Sequence, residues 1–487
     1  MITGSEMAVV DANAAALGVS RKQLMESSGN AVAQMLQQVA TPGDTIRILA
    51  GRGNNGGDAF VAARFLHEFD VSVRLLGRAE TITTDIAREN WDALLAGSHD
   101  VAEVRDSTAL ELGDTDVLVD AMLGTGIQGD LREPEATAAQ LLNDADAPVI
   151  SVDVPSGLDT ETGVLAENAV DADHVVTFHA TKPGLADLDA TVTVADIGVP
   201  KAAETFVGRG DLLRLGRDPN THKGAHGDVL VLGGGPYTGA PALTAQALLR
   251  AGADLAKVAC PDSIASEVQG FSENLIVYPL AGDRLERDHV DVILGHAAAH
   301  DVLVVGPGLG DDDETLQAVS LILESYEGTA VVDADALQMV PAVETDANLI
   351  CTPHQGELLA MGGETSEDWR ERRDLVSAFA EELDQTVLVK APYDVIADGE
   401  RSRVNRTGNP GMTVGGTGDV LAGVIGALAA THDPFDAACL GAYITGRAGD
   451  LVAEEYGNGL LATDLLDAIP GAMNESVSSR RKPVEKI

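Results

Sequence analysis

The chain has 487 residues, 45% of them hydrophobic, and 77 acids against 32 bases give it a formal net charge of −45. So acidic a surface repels phosphodiester backbones and anionic lipid, which sets nucleic acid and membranes aside as partners; the length predicts two domains. No apolar run approaches the roughly 20 residues of a membrane span, no basic-then-apolar export signal opens the chain, and three scattered cysteines suit a reducing cytoplasm.

In chain order, β-branched runs predict strands over 45–50, 71–76, 117–120, 149–153, 174–178 and 191–194. A second series follows over 228–232, 255–259, 302–305, 330–333, 349–352 and 386–390. Ala/Leu-rich helical stretches alternate with both series, which implies parallel sheets covered by helices, with sites beyond the strand C-termini. The turn-rich segment GRDPNTHKGAHG, residues 216–227, separates the series. Domains are expected over 1–212 and 213–475, with a disordered tail over 476–487.

The first strand leads into GRGNNGGDAF, residues 51–60. Its glycines let backbone approach a ligand, Asn54 and Asn55 supply amide groups, and Asp58 is expected to cap the next helix. It is neither a Walker A loop nor a Rossmann fingerprint. The third and fourth predicted strands end in Asp120 and Asp153, followed by AMLGTGIQGD (121–130) and VPSGLD (154–159). Parallel strands bring such ends to one edge, so Asn55, Asp120, Asp153 and Ser156 converge as hard oxygen donors suited to a cation.

These motifs resemble the YjeF N-terminal domain of the NAD(P)H-hydrate epimerase family, over about residues 5–210. The resemblance implies a Rossmann-like three-layer α/β/α sandwich. It also implies that substrate is held by Asn54, Asn55, Gly56, Gly57 and Asp58, by Gly124, Thr125, Gly126, Ile127, Gln128, Gly129 and Asp130, and by Asp153. A potassium ion is implied at Asn55, Asp120 and Ser156. Asp153 and Lys182, the latter in TKPGL after the next strand, are expected to share the acid–base work of epimerisation. Ala59 stands where the family usually has glycine.

The most informative run lies in the second half: NPGMTVGGTGDVLAG, residues 409–423. Glycines just before a helix present backbone N–H groups to an anion, and Asp419 at the mouth of that hole is placed to take a proton from a substrate hydroxyl. Upstream stand GGGPYTGA (233–240), VVGPGLG (304–310), VVDADAL (331–337), CTPHQGE (351–357) and LVKAPYD (388–394). In this order they resemble the ribokinase-like ADP/ATP-dependent NAD(P)H-hydrate dehydratases, over about residues 215–470. That resemblance implies a ribokinase-like α/β domain in which Ala240, Gly308, Gly310, His354 and Asp419 contact the hydrate. Lys390, Ala391, Pro392, Tyr393, Asp394, Gly416, Thr417 and Gly418 contact the nucleotide, ADP or ATP, with Mg²⁺. Gln355 and Ala391 replace a usual proline and glycine.

Together the halves imply repair of hydrated NADH and NADPH: Asp419 removes a proton, the hydroxyl is phosphorylated, and phosphate is expelled. A small-molecule kinase with a non-catalytic N-terminal binding domain would share the anion hole and Asp419, but the TPHQGE and GGTGD contexts favour the dehydratase. A homo-oligomer is expected. Only eight of the bases are lysines, a composition that resembles salt-adapted proteins.

Overall fold

A computed structural model describes residues 1–126, 129–217 and 220–475. Ile127 and Gln128, expected in a substrate loop, and the 476–487 tail lie outside the described residues. Contacts divide the chain after Ala203 into two compact units, nine residues before the expected boundary at 212. The difference has a packing cause: Val207 and Leu212 are buried in the second unit's core. Arg403 of that unit also donates to the Phe206 carbonyl at 2.8 Å and to Asp211 at 3.1 Å.

The first unit carries β1 (Thr45–Ala50), β2 (Asp70–Leu76), β3 (Asp100–Val104), β4 (Val117–Ala121), β5 (Val149–Val152), β6 (His174–Phe178) and β7 (Thr191–Ala195). Every pairing is parallel, in the order β3-β2-β1-β4-β5-β6-β7. Period-two alternation builds its layers. Ile46, Ile48 and Ala50 of β1 enter one core, and Leu49 enters a second core with Leu118 and Val149. Strand order reverses between β1 and β4, so their C-terminal ends open a crevice where ligands bind in this class of fold.

The second unit carries β8 (Asp228–Leu232), β9 (Leu255–Pro261), β10 (Ile276–Leu280), β11 (Val302–Val305), β12 (Thr329–Val332), β13 (Asn348–Cys351), β14 (Thr386–Val389), β15 (Asp394–Ala397) and β16 (Ser402–Asn405). They form one nine-stranded sheet in the order β10-β9-β8-β11-β12-β13-β14-β15-β16. Val229 and Val231 face one core, Leu230 and Leu232 the other. The expected all-parallel sheet needs one correction: β14, β15 and β16 pair antiparallel. Their short connections, of four residues each, are hairpin lengths that cannot hold a crossover helix. Order again reverses at β8 and β11, and the glycine-rich loops leave from there.

Candidate functional sites

In the first unit the loop after β1 runs into the helix Asn54–Phe65, whose N-cap is Gly53. The first-turn amides of Asn54 and Asn55 thus carry no side-chain cap and stand at the edge of ligand space, whereas Gly57 N already donates to the Gly53 carbonyl at 3.2 Å. Gly56 is required by packing, because a Cβ there would lie 2.1 Å from the Gly51 carbonyl oxygen. The sequence predicts Asp58 as the cap of this helix, and the structure corrects that: the N-cap is Gly53. Asp58 sits inside the helix, buried, since the helix already begins at Asn54.

A cavity of about 870 Å³ opens there, lined by Asn54, Asn55, Asp58, Gly124, Thr125 and Gly126 together with Asp153 and Lys182. Gly56, Gly57, Gly129 and Asp130 are not in its lining, and Asp130 instead accepts from Glu167 N at 3.4 Å. Lys182, 1% exposed, donates to Asp153 Oδ1 at 2.5 Å, Thr177 Oγ1 at 2.7 Å and the Phe178 carbonyl at 3.1 Å. The Asp153 backbone is left-handed, φ +64°, a strained conformation of the kind that concentrates at functional sites. Burial, then the neighbouring Asp153 and Asp11 charges, push the Asp58 carboxyl well above the ordinary carboxylate range. Asp11, on the helix Gly4–Ala16, lines the same cavity and is itself raised, chiefly by burial. Sequence reading missed it, because it lies on an Ala-rich helix far upstream of the glycine loops.

Beneath this cavity Asp120 is fully buried. It accepts from Ser156 Oγ at 2.6 Å, Ser156 N and Ser151 Oγ at 2.8 Å, and Met122 N at 3.2 Å. All four partners are neutral, and burial outweighs them to raise the carboxyl's pKa. Asn55 donates to the Leu123 carbonyl at 2.9 Å, yet its buried Oδ1 has no partner. An unmatched amide oxygen near a buried carboxylate with no cation is a donor set that fits a monovalent ion. Among the described residues no group of three or more His, Cys, Asp or Glu is arranged to hold a metal ion.

In the second unit the helix Thr417–Ala429 starts at Gly416, φ +97°. Gly418 and Asp419 therefore lie in its first turn, where N–H groups are unpaired. A Cβ on Gly418 would sit 3.4 Å from Lys390 Nζ and 3.8 Å from Asp333 Oδ2, so Lys390, Asp333 and the GGTGD run share one site. Burial, then the charge of Asp333, push the Asp419 carboxyl up to about 7 against the pull of Lys390. Thr417 Oγ1 is spent on the Met412 and Val414 carbonyls.

The loop from Lys390 to Asp394 closes on itself: Ala391 N donates to Asp394 Oδ1 at 2.9 Å, and buried Asn405 donates to Asp394 Oδ2 at 2.9 Å. Burial raises Asp394 to about 6. Tyr393 stacks on Trp369 at 5.9 Å, and Pro392 is exposed. Ala240 packs against Gly308, where a Cβ would meet the Ala240 Cβ at 3.2 Å; Gly310 abuts Pro236. His354 caps the helix Gln355–Ala360, its Nδ1 accepting from Glu357 N at 3.0 Å and its Nε2 lying 3.6 Å from Glu357 Oε1. Asp333, after β12, ties these parts together, and sequence reading gave it no role.

The sequence matches two family models: a YjeF-related protein N-terminus over residues 21–184 and an NAD(P)H-hydrate dehydratase over residues 229–471. It is 44% identical to the bifunctional NAD(P)H-hydrate repair enzyme of Methanothermobacter thermautotrophicus, covering 96% of this chain and 94% of that one. With the enzyme of the same description from Archaeoglobus fulgidus it is 42% identical, covering 97% and 98%. Among solved structures, a hypothetical protein from Streptococcus mutans is similar at a TM-score of 0.50 and 24% identity, over 56% of this chain and all of that one; it bears on fold alone. The chain thus belongs to the family of bifunctional NAD(P)H-hydrate repair enzymes.

Proposed function

We propose that the two units divide the repair of hydrated NADH and NADPH: the first interconverts the R and S epimers, and the second dehydrates the S epimer at the cost of a nucleoside di- or triphosphate. The observation that carries this reading is the pairing, on one chain, of the cavity holding the Asp153–Lys182 ion pair with the anion hole holding Lys390, Gly418 and Asp419.

Hydration leaves a hydroxyl on nicotinamide C6, next to the ring nitrogen. In the first unit, inversion needs that hydroxyl to leave as water with a proton supplied, the nitrogen lone pair forming an iminium, and water to return on the other face with a proton removed. Asp153 and Lys182 share that proton traffic, and Asp58, whose carboxyl is pushed up by burial and its acidic neighbours, lines the same cavity as a further proton carrier. Potassium suits Asn55 Oδ1, with Ser156 and the buried charge of Asp120 behind it; when bound it supplies positive charge that steadies the substrate-side loops.

In the second unit Asp419 takes the C6 hydroxyl proton as that oxygen attacks the terminal phosphorus of a magnesium–nucleotide co-substrate. The O–P bond forms, the bridging P–O bond breaks, and the shortened nucleotide departs. The nitrogen lone pair then expels phosphate from C6, and loss of a C5 proton restores the dihydropyridine. Lys390 and the amides around Gly418 offset the charge on the transferring group. No helix among the described residues is long and apolar enough to cross a membrane, and the reading carries a cytoplasmic location, in which the three buried thiols stay reduced. Product analysis tests it: inorganic phosphate and reduced nicotinamide are expected, whereas a phosphorylated organic product would favour a kinase.

A further inference from the structure

Asp333 follows β12 at the sheet edge from which the glycine loops leave, and it is held there by more than its side chain. Its N–H donates to the Val305 carbonyl at 3.1 Å, and its own carbonyl lies where a Cβ on Gly306 (φ +125°) would approach to 1.8 Å. The next residue, Ala334, has a left-handed backbone, φ +55°. Backbone pinned on both sides and strained beyond is what a precisely aimed side chain requires.

The side chain is 4% exposed and divides its oxygens. Oδ1 accepts from buried Thr352 Oγ1 at 2.8 Å and from Lys390 Nζ at 2.9 Å. Oδ2 makes no hydrogen bond among the described residues and faces Gly418, 3.8 Å from where a Cβ there would stand. Lys390 also lies 3.8 Å from Glu357 Oε2. The charged groups that act on Asp419 are Asp333 and Lys390. From the helix Gly239–Arg250 comes a neutral contact, the Thr244 hydroxyl on the Asp419 carbonyl.

We propose that Asp333 is a positioning residue for phosphoryl transfer: it pins Lys390 toward the anion hole and, by taking that ammonium as its own partner, leaves the Asp419 carboxylate unpaired and basic. A lysine on four flexible methylenes does not hold one position unaided. If it paired with Asp419 it would quench the proton acceptor, since an adjacent cation makes a carboxylate a weaker base. Asp333 prevents both, and its open oxygen adds negative potential on the base. The position of the Asp419 titration, raised first by burial and then by Asp333, agrees with that geometry. The inference rests on the reading of Asp419 as general base.

The test is the pH profile of dehydratase kcat/KM, with KM for ADP, in Asp333→Asn, Asp333→Glu and Asp419→Asn of the full chain. In Asp333→Asn the acid limb is expected to move down by about one pH unit, with KM for ADP rising roughly tenfold as Lys390 loses its anchor. Asp333→Glu, which keeps the charge, is expected to keep the acid limb while kcat falls. An Asp333→Asn limb that coincides with the parent's overturns the inference, and should that variant not fold, a limb that moves in Asp333→Glu overturns it. Asp419→Asn separates the two readings: normal turnover there contradicts the base itself, whereas abolished turnover with an unmoved Asp333→Asn limb contradicts this inference alone.

Discussion

Lys182 Nζ lies 2.5 Å from Asp153 Oδ1, with the lysine sealed from solvent and the aspartate partly open to the cavity. The pair is built asymmetrically: the ammonium is also held by Thr177 and the Phe178 carbonyl, whereas one carboxylate edge faces the ligand space. This relation predicts that Lys182→Met lowers epimerisation by about two orders of magnitude or more and leaves dehydration of the S epimer intact. It also costs about 1–3 kcal/mol of first-unit stability, because a half-buried carboxylate loses its partner. Chiral analysis of the hydrate pool and denaturant unfolding check the two effects. Unchanged epimerisation would remove the pair from the mechanism.

In its proposed role as general base, Asp419, raised to about 7 chiefly by burial, acts only when ionised. Dehydratase kcat/KM is therefore expected to fall as pH drops through about 7, while epimerase activity follows a different profile. The stability sign is opposite. A carboxyl whose folded pKa lies above its unfolded value favours the fold when protonated, and that contribution is lost as pH rises through the folded value. Asp419→Asn is expected to raise, at pH above about 7, the melting temperature of the transition that ADP shifts. Calorimetry with and without ADP identifies and measures it.

Asn405 is fully buried, and its amide donates to Asp394, to the Ala442 carbonyl and to the Thr407 carbonyl. Asn405→Leu removes the donor that Asp394 Oδ2 needs. The expected cost is about 1–3 kcal/mol of second-unit stability, with KM for the nucleotide raised and kcat nearly unchanged, because the loop from Lys390 to Asp394 loosens while Asp419 does not. Steady-state kinetics varying ADP at saturating hydrate separates these.

The unmatched Asn55 Oδ1 predicts that epimerisation depends on potassium. Replacing KCl by tetramethylammonium chloride at constant ionic strength should slow it, and Asn55→Ala should abolish the difference between the two salts. Equal rates in both salts for the parent would contradict the ion assignment.

Much of this was legible because chemistry in such folds gathers at strand ends. Asp120 lies at the end of a hydrophobic strand that is plain in sequence, Ser156 and Lys390 follow such strands, and the GGTGD run is marked by its glycines ahead of an apolar helix. The strands that escaped are those with weak patterns. Asp100–Val104 is an edge strand with alternating solvent-facing positions, Ile276–Leu280 carries Pro279 at an edge, and β15 and β16 are four residues each. What sequence does not carry is pairing between distant segments. The burial of Lys182, the placement of Asp11 in the cavity and the link from Asp333 to Lys390 all join residues from separate strands or helices. The shift of Phe206 to Leu212 into the second unit has the same origin, since its partner Arg403 lies far along the chain.

The measurement that bears most directly on the central claim is recovery of the near-ultraviolet absorbance of reduced nicotinamide from a mixed R and S hydrate pool, in KCl with Mg²⁺ and ADP, then ATP. Complete recovery, beyond the S fraction and faster than spontaneous epimerisation, is the predicted result. Recovery that stops at the S fraction would contradict an active epimerase in the first unit, and no recovery with either nucleotide would contradict the repair function itself.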